Sequence, residues 1–142
     1  MSSDNQDGDS VWQRLQDARQ SLLSLHKVLM DDQRAVYERA HGRVDSSYHF
    51  LELLMNDPWF DWLHRLSELV VQIDEMLDSE EPQVEENAKI LLEQARVLLT
   101  PSEDGSEFQR KYFAALQQSP SAVLAHAAVL KVIGTQPTNR II

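Results

Sequence analysis

The stretch Asp57–Leu77, DPWFDWLHRLSELVVQIDEML, decides how this chain folds. Aspartate followed by proline starts a helix: the carboxylate accepts from amides of the first turn, and proline fills a position whose N–H would have no partner anyway. On a helix turning about 100° per residue, Trp59, Trp62, Leu63, Leu66, Leu69, Val70, Ile73, Met76 and Leu77 share one face. Phe60 and Val71 widen that face to an arc of roughly 200°, more than a surface helix needs. Asp61, Arg65, Glu68, Gln72 and Glu75 make the opposite, wet face. The spacing predicts a helix from Pro58 to about Leu77, central in an all-α bundle and packed on more than one side. Trp59 and Trp62 are most simply core anchors, although a tryptophan pair at a helix start can also wall a ligand pocket.

Five other helices follow from the same signals. The first is capped by Asp9 or Ser10 and stops near Ala40, where His41-Gly42 reads as a C-terminus. The second spans Tyr48 to about Met55, capped by Ser46 or Ser47. Pro82 opens the fourth, to about Leu99. Ser106 caps the fifth, to about Gln118, and Ser119-Pro120 starts the sixth, which Gly134 ends after Ile133. The expected organisation is a disordered acidic segment over 1–9, one six-helix bundle domain over 10–134 and a loose tail over 135–142.

The composition bounds the function classes. The chain has 142 residues, 42% hydrophobic and 25% charged, enough for one domain with a real core. Its net charge of −10, from 23 acidic and 13 basic residues, repels phosphate backbones and anionic lipid, so neither nucleic acid nor membrane is an expected partner. The absence of cysteine removes disulfides, thiol nucleophiles and thiolate metal sites. The polar, acidic start lacks the pattern of a signal peptide and no apolar run matches a bilayer, so the expected location is the cytoplasm.

The first helix carries Leu15, Leu22, Leu29 and Val36 in one heptad column and Leu23, Met30 and Tyr37 in another. Between them run Trp12, Arg19, His26, Gln33 and Ala40. This places three polar residues down the middle of an apolar face, where they need partners. Ser67 and Asp74 interrupt the apolar arc of the central helix. The serine can bond back to its own helix, whereas the carboxylate needs a cation or the bundle's edge. A network joining Arg19 or His26 to Asp74 is therefore expected. It is either a device that fixes helix register or a small polar pocket between the first and third helices, lined by Arg19, His26, Gln33, Ser67 and Asp74 and walled by Trp59 and Trp62.

Catalytic and metal constellations are incomplete. Glu38-x-x-His41 matches the unit that di-iron bundles use in pairs, but the nearest second unit, Asp61-x-x-His64, has aspartate on the wet face. No metal or cofactor is expected, and His41 serves equally as a cation at a helix C-terminus. Ser67 and His64 lie one turn apart without a glycine-rich elbow, and there is no phosphate loop or dinucleotide fingerprint. His49 and Glu52 read as the solvent face of the second helix.

The last helix, Ala122 to Ile133, is apolar nearly all round and too short to span a membrane. Its own bundle or a second subunit must bury it. Ile90 and Val97 sit opposite the main stripe of the fourth helix (Val84, Ala88, Leu91, Ala95, Leu98). Together these suggest a homodimer through the last helix, or an unknown protein partner, with His126 at the edge. The sequence thus favours a non-enzymatic bundle acting by protein contact. The alternative is a small-ligand bundle using the polar seam, and a metal-dependent enzyme comes third.

The runs NDPWFDWLHRLSELVVQIDE and TPSEDGSEFQRKYFAALQQSPSAVLAHAAV resemble a group of small all-helical bacterial proteins with no assigned activity. In them an aromatic Asp-Pro helix, an Ile-Asp-Glu ending and a Gly-Ser-Glu-Phe-Gln helix start recur in this order. The resemblance implies a bacterial source and an all-helical fold, and it supplies no site residue.

Overall fold

Helix α1, Ser3–His41, is the spine: at 39 residues it is far longer than any other element. The computed structural model describes residues 3–134, with side chains from Val11 onward, so the tail 135–142 lies outside the described residues. The remaining helices are α2 (Ser47–Asn56), α3 (His64–Asp78), α4 (Glu85–Leu98), α5 (Glu107–Gln118) and α6 (Pro120–Ile133). A 3-10 helix, Pro58–Leu63, leads directly into α3. The described residues form an all-α bundle and contain no strand.

Local chemistry sets most of the boundaries. Gly42 (φ +99°) ends α1 and Gly134 (φ +89°) ends α6, both in the left-handed region that lacks a steric penalty only for glycine. Ser106 and Gln109 make a reciprocal capping box at the start of α5. The Ser119 hydroxyl accepts from the Ala122 amide, with Pro120 opening α6. Ser46 caps α2 through the His49 amide.

Three boundaries depart from the sequence expectation. Helix α1 begins at Ser3, ahead of the Asp9 or Ser10 cap, because extending an existing helix adds one hydrogen bond per residue without a new nucleus. Helix α4 begins at Glu85, not at Pro82: Glu85 and Glu86 occupy the first turn, where negative charge complements the helix dipole. The predicted helix over 58–77 is two pieces. Asp57 accepts from the Trp59 amide at 2.9 Å, and the chain then takes one tight 3-10 run before relaxing into α3.

That tight run changes which side chains face inward. With three residues per turn, Phe60 aligns with Leu63 instead of drifting sideways, so Phe60 is completely buried rather than marginal. Val71, expected to widen the apolar face, is 51% exposed because α3 keeps the ordinary helical phase. Trp62 is buried and stacks at a tilt on Phe108 of α5. Trp59 is half-buried, edge-on to Tyr37 of α1.

The core runs along α1 through Val11, Leu15, Ala18, Leu22, Leu25 and Leu29, an alternation of four and three. Helix α6 makes the most extensive contact with this stripe, followed by α3 and α4. Leu66, Leu69, Val70 and Ile73 of α3, and Ala88, Leu91, Leu92 and Ala95 of α4, complete the same cluster.

Candidate functional site

The stripe just described moves the polar seam of α1. Its centre is Ala18, Leu22, Leu25 and Leu29, so Arg19, His26 and Gln33 lie along its edge, half-buried, and not down its middle. The sequence pattern misleads because Leu23, Met30 and Tyr37 look like a second core column. Leu23 is in fact 43% exposed, and Met30 and Tyr37 only pack against the core from outside.

The expected link between α1 and α3 is present. Arg19 Nη1 donates to Asp74 Oδ1 at 3.0 Å. The two side chains are 39% and 40% exposed, so solvent screens the pair and its contribution lies within about 0–1 kcal/mol. Arg19 Nε is buried without a hydrogen bond, as is Trp59 Nε1. Ser67 Oγ donates to the carbonyl of His64 at 3.1 Å, satisfying itself within its own segment.

His26 does not join Arg19 and Asp74. Burial, and secondarily the nearby His64, lower its pKa, so it is neutral at pH 7. His64 itself reaches back to α2: its Nε2 lies 2.8 Å from the Leu54 carbonyl. A carbonyl only accepts, so Nε2 carries the proton and His64 satisfies one of the orphan carbonyls at the end of α2. Asp61 is exposed. Gln33 forms no link with these residues.

Glu38 and His41 have structural partners. Glu38 Oε2 accepts from the Val44 amide at 2.9 Å and sits 3.6 Å from Arg34 Nε. Arg34 in turn donates to the Val44 carbonyl at 3.1 Å and lies over the Phe50 ring, 5.0 Å from its centroid. This staple buries Val44 and fixes the α1–α2 connection. His41 packs on Tyr37 and edge-on to Trp59, with centroids 4.5 and 5.3 Å away. Among the described residues no three His, Asp or Glu side chains converge as a metal site.

One short polar contact between α5 and α6 was not legible in the sequence. The Tyr112 hydroxyl of α5 lies 2.7 Å from Nδ1 of His126 on α6. Tyr112 is wholly buried, and burial pushes its pKa far up, so the phenol keeps its proton and shares one hydrogen bond with Nδ1. Burial also lowers the pKa of His126, which is therefore neutral. His126, expected to be a tolerated edge residue, is a partner for a phenol in the core. Fourteen residues separate the two, so no helical periodicity relates them.

Several apolar faces are left uncovered. Helix α2 buries none of its residues fully: Phe50, Leu53 and Leu54 pack inward, while Tyr48 (70%), Leu51 (51%) and Met55 (62%) face out. Its solvent face is thus apolar as well as His49 and Glu52. Ile90 and Val97 of α4 are about half exposed, as their position opposite the stripe implies, and Val84 is exposed ahead of the helix. On α6, Ala122, Val129 and Ile133 are buried, but Val123 and Leu124 are 47% and 72% exposed. Ala127 and Ala128 continue that outward face. An open groove of about 700 Å³ runs between α3, α4 and the start of α5, with Leu69, Ile90, Val97 and Leu98 along it and Arg65, Glu68, Gln72 and Glu93 among its polar groups. It contains none of the seam residues.

Among the described residues, no helix is long and apolar enough to cross a membrane. No family model, curated protein or solved structure matches the chain.

Proposed function

We propose that the protein acts by non-covalent contact with another protein chain, through helix faces that its own bundle leaves uncovered, and not by catalysis. The observation that carries this reading is α6: a helix apolar nearly all round whose outward side keeps Val123, Leu124, Ala127 and Ala128 in solvent. Single exposed apolar residues are ordinary, but several on one helix face mark a contact surface. The titratable side chains support the same reading, since Arg19, Asp74, Glu38, His41, His64 and His126 all have structural partners. A cytoplasmic setting suits such an acidic contact protein, which anionic polymers and lipids repel.

Photo-crosslinking from position 124 in the source cell tests it. Covalent adducts to a protein chain, lost when the probe moves to exposed Glu103, are expected. Absence of adducts from positions 51, 97 and 124 alike would overturn it.

Small-ligand binding is the second reading, favoured by the groove on α3, α4 and α5 rather than by a pocket between α1 and α3, where leucines fill the space. A thermal-shift screen against metabolites tests it, with Val97→Glu as the control expected to abolish any shift.

A further inference from the structure

We infer that the chain covering the outward face of α6 is a second copy of this protein, paired antiparallel about a two-fold axis near Ala127 and Ala128. The inference rests on the contact reading above and names its partner.

Charge selects the occupant. Two chains of net charge −10 repel wherever their carboxylates meet. Helix α6, Pro120–Ile133, is the one helix of the six with no aspartate or glutamate, and Lys131 is its only lysine or arginine. Its outward face is therefore where two copies approach with least repulsion. A partner recruited by its own positive charge would instead be drawn to an acidic face.

Shape selects the register. Ala127 and Ala128 are small and exposed at the middle of the face, so two helices can approach closely there. An axis between them sets residue 124 of one copy opposite residue 131 of the other. Leu124, 72% exposed, then packs under the aliphatic stem of the partner's Lys131, whose ammonium stays in water. The same pair recurs on the other side of the axis, as a two-fold contact requires. The inner side of α6 is already held by Ala122, Val129, Ile133 and the Tyr112–His126 bond, so the face is presented without rearrangement.

The absence of cysteine makes the test direct, because any disulfide formed by a single introduced cysteine must join two copies. Ala128→Cys should form a covalent dimer on mild oxidation at least about tenfold faster than Leu51→Cys on the exposed face of α2, since only close Cα atoms can be bridged. The wild-type chain should sediment as a concentration-dependent dimer. Leu124→Glu should raise the dimer Kd by at least about tenfold, with its helical circular dichroism unchanged and its thermal midpoint equal to that of the wild-type chain at concentrations where the wild type is also monomeric. A wild-type monomer at every accessible concentration, a dimer indifferent to Leu124→Glu, or equal oxidation rates at 128 and 51 would each overturn the inference. If the chain is monomeric but crosslinking from 124 captures a different protein, the second copy is wrong and the contact reading stands. If neither occurs, both fail.

Discussion

The Tyr112 hydroxyl and His126 Nδ1, 2.7 Å apart, tie α5 to α6 with the phenol wholly buried. Tyr112→Phe should cost about 1 kcal/mol, the net value of one hydrogen bond, because the half-exposed histidine can turn to water while the buried phenol cannot. Urea unfolding at pH 7.5 measures it. A neutral result would mean that the ring stacking on Phe108 carries the position.

The same pair makes stability depend on pH. Burial lowers the folded-state pKa values of His126 and His26 below the ordinary histidine range. Their contribution is fully present above the ordinary histidine pKa. It is lost as pH falls from there through the folded values, because the unfolded chain takes up protons first. The thermal midpoint should therefore hold steady above neutrality and decline on acidification toward pH 5. His126→Gln should flatten part of that slope; an identical slope would remove His126 from the account.

Arg19 and Asp74 should couple weakly. A double-mutant cycle with Arg19→Met and Asp74→Asn is expected to give no more than about 1 kcal/mol, shrinking further in salt. Arg19→Met alone should be near neutral, since it also removes a buried nitrogen that lacks a hydrogen bond. A coupling of several kcal/mol would make the seam a true buried network.

Glu38 should matter for folding and not for metal. Glu38→Ala leaves the Val44 amide without its acceptor and Arg34 without its ion-pair partner, and should destabilise by about 1–2 kcal/mol. Exhaustive chelation should leave the thermal midpoint of the wild-type chain unchanged. A midpoint that falls on chelation and recovers with added metal would restore Glu38 and His41 as ligands.

Phe60→Ala should be among the most damaging substitutions, at about 3–5 kcal/mol, because its ring is wholly buried between Tyr37 and Phe50. Trp59→Phe should cost less than about 1 kcal/mol, as the indole N–H it removes has no partner. Chemical denaturation of the two variants separates anchor from neighbour.

The helices were legible where a local signal stands at their ends. Asp57-Pro58, Ser106, Ser119-Pro120, Gly42 and Gly134 each mark a real boundary, because capping and left-handed backbone are decided within a few residues. The 3-10 run at Pro58–Leu63 was not, since its apolar spacing also fits an ordinary helix; only burial separates Phe60 from Val71. The Arg19–Asp74 pair was legible because a carboxylate on an apolar arc demands a cation. Its half-exposed setting was not, because the columns of α1 admit two centres and tertiary packing chose the one through Leu25. Tyr112 and His126 each look unexceptional in their own helix, and their bond depends on how α5 and α6 meet.

The pairing of α1 with α6 has a consequence for how the molecule is made. Arg14 of α1 donates to the Val132 carbonyl of α6 across 118 residues of chain. Helix α1 is the first of the six to leave the ribosome, and its most extensive neighbour is the last. Until α6 emerges, the leucine stripe of α1 is only partly covered by α3 and α4. The nascent chain therefore carries exposed leucines through most of its synthesis, and its core closes only once translation has passed Ile133.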